Sequence, residues 1–148
     1  MTPAGDAREL ALEAGLEDLA RVRAFVDDAM RGLGVDAQAR ADLLLAVDEA
    51  VTNVVLHGYG GGRGPLALCV DRDGADLRIV IRDRAPLFDP SEASRPQLDT
   101  ELADRPIGGM GVFLVRQAAD RLEHAQRAGG GNVLTLTRRV QAAGRAEG

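Results

Sequence analysis

The sequence predicts an α+β fold with helices layered on one face of a sheet. Three observations carry that prediction. Segments of helical and strand periodicity follow one another as β-α-α-β-β-(long loop)-α-β-β. The strands cluster instead of alternating strictly with helices, which argues against a doubly wound arrangement. The chain of 148 residues, with no internal repeat, suits one domain whose folding buries roughly 70% of its extended surface.

Arg8 to Leu12 reads as a short opening strand. Leu16 to Met30 places Leu16, Leu19, Ala20, Val22, Arg23 and Val26 at helical spacing, and Gly32 and Gly34 supply a stop. Asp36 is a candidate N-cap for a second helix running to about His57, where Gly58 is expected to end it in the left-handed conformation. The cluster Gly58-Tyr59-Gly60-Gly61-Gly62-Arg63-Gly64-Pro65 reads as a flexible turn. Strands Leu66–Arg72 and Ala75–Asp83 follow, joined at Asp73-Gly74 as a hairpin. From Arg84 to Pro106 there is no periodicity, only prolines 86, 90, 96 and 106, and a loop of that length in a compact domain is usually functional or disordered. Gly108-Gly109-Met110-Gly111 then opens a helix over Val112–Ala119. Two last strands, near Arg121–Arg127 and Asn132–Val140, flank Gly129-Gly130-Gly131, and 141–148 reads as a frayed tail.

Composition excludes several chemistries. All 18 basic residues are arginine, so a Walker-type phosphate lysine and a Schiff-base lysine are both ruled out. A nucleotide site would need backbone N–H groups, a metal and Arg. The net charge of −5, with signs interspersed, gives no argument for direct binding to nucleic acid or to an anionic membrane. The lone cysteine, Cys69, excludes an internal disulfide and Cys-based zinc, and its apolar run suggests a small core residue. No run approaches the ~20 apolar residues of a membrane helix and no signal peptide is visible, so the expected location is the cytoplasm.

Three segments carry candidate chemistry. In Asp48-Glu49-Ala50-Val51-Thr52-Asn53, Glu49 and Asn53 stand four apart and share a helix face. If that face is buried the two polar groups need a partner. A nucleotide-bound magnesium ion is one: the Asn oxygen can ligate it, and the Glu can take a proton from an attacking hydroxyl. The plain alternative is an amphipathic helix whose two polar residues face solvent. Asp83, at a strand end, can accept from the exocyclic amino group of adenine, or simply cap the turn. Pro86-Leu87-Phe88-Asp89-Pro90 could wall the base. The Gly108–Gly111 loop before a helix can hold phosphates on backbone N–H groups, or merely form a turn that caps the helix.

In this order the three segments resemble the N, G1 and G2 boxes of the ATPase superfamily that includes gyrase, the heat-shock chaperones, histidine kinases and MutL. Within it, Asp48 through Tyr59, Asp83 through Pro90, and Gly108-Gly109-Met110-Gly111-Val112-Phe113-Leu114-Val115-Arg116 are similar to the bacterial anti-sigma-factor serine kinases, over roughly residues 8–140. The resemblance implies a two-layer sandwich with a mixed, mostly antiparallel sheet, and one ATP-binding kinase domain over 8–140. It implies Glu49 as general base, Asn53 as magnesium ligand, Asp83 on the adenine amino group, and Gly108, Gly109 and Gly111 on the phosphates. Ser91–Pro106 would be the ATP lid. The family's G1 glycine is Ala85 here, beside the base edge; its γ-phosphate arginine corresponds to the offset Arg105; and its threonine in the last strand pair has no clean match around Asn132-Val133.

The implied function is an ATP- and Mg-dependent protein-serine kinase that acts as anti-sigma factor. It would bind a sigma factor, phosphorylate an anti-anti-sigma protein on serine, and form a homodimer. One alternative is a nucleotide-loaded module that sequesters a regulator without significant transfer, for which Glu49 would be superfluous. Another is a histidine-kinase catalytic domain separated from its other parts. Against that stand only two histidines, His57 and His124, expected to be a helix-end residue and a strand residue, and no phosphoacceptor helix pair.

Overall fold

The computed structural model describes residues 7–86, 115 and 117–140. Strand β1 (Arg8–Ala14) leads through a single 3-10 turn (Leu16–Asp18) into helix α1 (Leu19–Gly32) and then helix α2 (Ala37–Asn53). Strands β2 (Gly64–Asp73), β3 (Asp76–Asp83), β4 (Arg121–Gln126) and β5 (Asn132–Arg139) complete the described elements. They form one five-stranded sheet in the order β1-β2-β3-β5-β4. All four described pairings are antiparallel, where the resemblance implied a mixed, mostly antiparallel sheet.

Strand alternation decides which side of the sheet is covered. Leu66, Leu68 and Val70 of β2, Leu77, Ile79 and Ile81 of β3, and Leu134 and Leu136 of β5 are buried on the same face. The helices supply the opposing layer: Val22, Val26, Ala29 and Met30 from α1, and Leu43, Ala46, Val47, Ala50 and Val51 from α2. Period 3.6 meets period 2 in a single core. The helical residues Val115 and Ala118 join that core, Gln117 between them is exposed, and Ala119 packs against the core just past the helix; 112–114 and 116 of the predicted third helix lie outside the described residues.

Cys69 departs from its expected place. With Leu68 and Val70 turned inward, Cys69 must point to the outer face, where it is half-buried near the Asp71–Arg78 ion pair. The continuous apolar run around it concealed the alternation. Among the described residues no helix is long and apolar enough to cross a membrane.

The start and end of α2 bear on the site. Asp36 caps the helix as expected, its carboxylate accepting from the Ala39 N–H at 3.1 Å. The other end differs from expectation. After Asn53 the chain widens into a π-helical turn (Val54–Gly58), with the Tyr59 N–H reaching the Val54 carbonyl at 2.9 Å. Gly58 does not take the left-handed conformation; Gly60 and Gly61 do, at φ 62° and 86°. The β2–β3 hairpin closes through Gly74-Ala75, one residue later than expected, with Gly74 at φ 63° in the first loop position, where a two-residue hairpin tolerates only glycine-like backbone.

Removing the α2 cap tests the local account. Asp36→Ala should cost about 1 kcal/mol of stability, read as a lower denaturation midpoint at unchanged m-value in urea; no shift would mean that solvent caps Ala39 equally well.

Candidate nucleotide site

Glu49 and Asn53 occupy the last turn of α2 on one face, as their spacing requires. That face is turned inward at Asn53, which is 3% exposed, and Glu49 is half-buried. Among the described residues, Glu49 Oε1 and Asn53 Oδ1 are buried without a hydrogen-bonding partner, as is Oδ1 of the neighbouring Asp48. Two orphaned acceptors on one helix face are costly in a folded protein unless a ligand or water satisfies them. The solvent-facing alternative is therefore excluded. Asp48 points away on α2 and binds Arg23 of α1 at 2.5 Å through Oδ2. Burial first, and then the Asp48 charge, push the Glu49 carboxyl above the ordinary carboxylate range.

Asp83 ends β3 with its carboxylate on the covered face, 4% exposed. Its Oδ1 accepts the Ala85 N–H at 2.8 Å, a turn of the Asx type, and the Asn132 amide at 2.9 Å. Asn132 was not among the residues singled out for a role. It lies 49 positions away in sequence and is placed opposite Asp83 only by β3–β5 pairing. His124 is a strand residue as expected and also contacts Asn132 Oδ1 at 2.8 Å. His57 is exposed in the last turn after α2.

What joins the two halves of the site is the junction after α2. A Cβ placed on Gly58 would stand 2.5 Å from the Ala85 methyl, so Gly58 is required by close approach and not by backbone freedom. Ala85 thus turns its methyl toward a glycine on the facing segment. Next to it, the Tyr59 hydroxyl accepts the Arg84 N–H at 2.8 Å and donates to the Pro65 carbonyl at 2.6 Å. From the other side the β4–β5 turn is fastened to the same residues. Arg127 donates to the Asp83 carbonyl at 3.1 Å, and Arg84 to the Gly130 carbonyl at 2.6 Å. A side chain on Gly131 would collide with the Asp83 carbonyl.

The donor set sets what could be held here. Among the described residues no three His, Cys, Asp or Glu side chains cluster as metal ligands. A cation would need most of its oxygens from phosphates, with Asn53 giving one, which suits Mg²⁺ carried on a nucleotide. The contact of Gly58 with Ala85 joins the turn that follows Glu49 and Asn53 to the segment that follows Asp83. Arg105, Gly108, Gly109, Gly111 and the Ser91–Pro106 segment lie outside the described residues.

A family model for the histidine kinase-like ATPase domain matches residues 12–138. The serine/threonine-protein kinase BtrW of Bordetella bronchiseptica is 34% identical over 102 residues, 68% of this chain and 71% of that protein. The serine-protein kinase RsbW of Halalkalibacterium halodurans is 31% identical over 138 residues, 90% of this chain and 83% of that protein. A crystal structure of the RsbU and RsbW domains of Rv1364c from Mycobacterium tuberculosis matches with a TM-score of 0.64 at 21% identity, over 94% of this chain. The chain spans about a third of that longer one (33%), and the likeness speaks for the fold.

Two outcomes follow from the packing and the charge. Gly58→Ala should destabilise the protein by roughly 1–3 kcal/mol through overpacking, and Ala85→Gly in the same chain should recover much of that; additive losses in the double variant would refute the contact. Glu49→Gln should raise the melting temperature of the nucleotide-free protein by roughly 2–4 °C at neutral pH. The raised carboxyl means that the folded chain holds a proton the unfolded chain has released, so wild-type stability falls as pH rises through the interval between the two pKa values. The advantage of Gln should therefore be full above that interval and vanish in acid below it. A constant difference at every pH would discount the ionisation.

Proposed function

Because this chain belongs to the histidine kinase-like ATPase domain family, we propose that it is an ATP- and magnesium-dependent protein-serine kinase that also serves as an anti-sigma factor in a partner-switching circuit. The family supplies ATP use. The observation that carries the rest is the pair of buried oxygens on Glu49 and Asn53, unpartnered among the described residues, on the helix whose following turn packs Gly58 against Ala85. The kinase names of the BtrW and RsbW relatives support transfer to a protein serine. A relative named anti-sigma F factor, from Clostridium acetobutylicum and 26% identical over 98 residues, supports the sigma-binding role.

Each side chain then has one task. Asp83 accepts from the amino group of adenine, and Ala85 lies along the base edge. Gly108, Gly109 and Gly111 present backbone N–H groups to the phosphates, and Arg105 meets the γ-phosphate. Asn53 would hold Mg²⁺, which when bound neutralises phosphate charge. Glu49 takes the proton from the acceptor serine hydroxyl as its oxygen bonds to the γ-phosphorus and ADP departs. A carboxyl held above its ordinary range is a stronger base, and positioning supplies the remainder.

The acceptor is an anti-anti-sigma protein. A phosphoserine at its interface adds charge that repels the kinase and frees it for a sigma factor. The same reading carries a single domain over 8–140, a homodimer and a cytoplasmic location, without direct contact to nucleic acid or membrane. A nucleotide-loaded module that sequesters a regulator without transfer is the less economical reading, because it has no use for a base at Glu49.

The roles separate in binding and transfer assays. With Mg²⁺, labelled ATP and a candidate anti-anti-sigma protein, Glu49→Ala should keep ATP affinity within a few-fold yet lose transfer by about 10²-fold or more. Asn53→Ala and Asp83→Ala should each weaken ATP binding by tenfold or more. Saturable ATP binding with no transfer in wild type would favour the sequestering module, and equal ATP affinity in all four proteins would overturn the assignment.

A further inference from the structure

We propose that Asn132, itself held by His124, is a positioning residue that locks the Asp83 carboxylate in the orientation that reads the exocyclic amino group of a purine. This deepens the ATP-binding reading above and rests on it.

The geometry is a chain of three side chains across three adjacent strands. Asn132 and Asp83 are Cα partners in the β3–β5 register, both 4% exposed and both on the covered face. His124 sits one diagonal step away on β4. Asn132 Nδ2 lies 2.9 Å from Asp83 Oδ1, 3.4 Å from the Ala85 carbonyl and 3.3 Å from the Pro86 carbonyl. All three are acceptors, so the amide can stand only one way round, with N–H toward Asp83 and oxygen toward His124. His124 Nε2, 2.8 Å from that oxygen, must therefore carry a hydrogen.

The consequence falls on the two carboxylate oxygens. The Ala85 N–H and the Asn132 amide both converge on Oδ1. Among the described residues both donors go to Oδ1, and Oδ2 is the oxygen the proposal assigns to the ligand. A carboxylate otherwise turns through a broad, two-fold torsion about its terminal bond. Two donors on one oxygen stop that rotation before any base arrives, so less ordering has to accompany binding. A mere satisfier of a buried charge would need only to be present. A positioning residue must instead change the value of one particular hydrogen bond of the ligand.

The experiment compares Mg-ATP with the triphosphate of purine riboside, which differs only by lacking the 6-amino group. Calorimetric titrations are run on the full chain as wild type, Asn132→Ala, His124→Leu and His124→Gln. Wild type should prefer ATP by roughly 10- to 100-fold, the span of one hydrogen bond to a buried charge. Asn132→Ala should lose most of that preference, with ATP weakened by about tenfold and the amino-free nucleotide changed by less than about twofold. His124→Leu should lose part of it, and His124→Gln, which keeps an N–H donor, should restore it. Should Asn132→Ala fail to fold, the two His124 variants make the same comparison. Equal weakening of both nucleotides, or an undiminished preference in the variants, overturns the positioning role and leaves ATP binding intact. A wild type that binds neither nucleotide overturns both.

Discussion

A carboxylate at the end of a central strand, turned toward the core, is the constraint from which most of the site follows. Asp83 cannot be buried there without donors. The chain provides them from two directions: its own next turn, through Ala85, and a strand 49 residues downstream, through Asn132. Satisfying that single charge fixes how the chain leaves β3, and where β5 must begin. It also explains why the β4–β5 turn is tied to the same spot through Arg127, Arg84 and the close approach of Gly131. Each of these contacts is modest alone, but together they leave the exit of β3 one geometry.

The second half of the site is linked to the first by shape. Gly58 against Ala85, and the Tyr59 hydroxyl bridging Arg84 and Pro65, join the end of the α2 segment to the exit of β3. Glu49 and Asn53 are thereby carried on a rigid element whose far end abuts the residues around Asp83. Their exposed-looking polarity in the sequence is misleading, because both have an oxygen that the described protein atoms do not satisfy. Such a helix face is stable only at a cost, which is the expected condition of a residue kept for chemistry and not for folding.

Much of this was legible in the linear order. The Asp36 cap, the two helices, the hairpin and the terminal strand pair all follow from local rules, because each depends on residues within a few positions of one another. The placement of Glu49 and Asn53 on one helix face, and of Asp83 at a strand end, was also legible from spacing. The rest was hidden for physical reasons. Asn132 acquires its role from cross-strand register, which no local pattern encodes. Cys69 was read as core because an unbroken apolar run masks period 2. Gly58 was read as a left-handed terminator, when its lack of a side chain answers a methyl 27 residues away. Nothing in a single segment announces that pairing.

The π-helical turn after Asn53 also changes how the region must be counted. A turn closed from residue i to i−5 takes up one residue more than the α-helical i to i−4. Everything beyond it is offset by about 100° of azimuth from an α-helical projection. A helical wheel drawn straight through from Ala37 to Tyr59 would therefore misplace Tyr59 by about that angle. An insertion or deletion of one amino acid between 54 and 58 would be felt as a rotation of the glycine away from its alanine, not as a change of length.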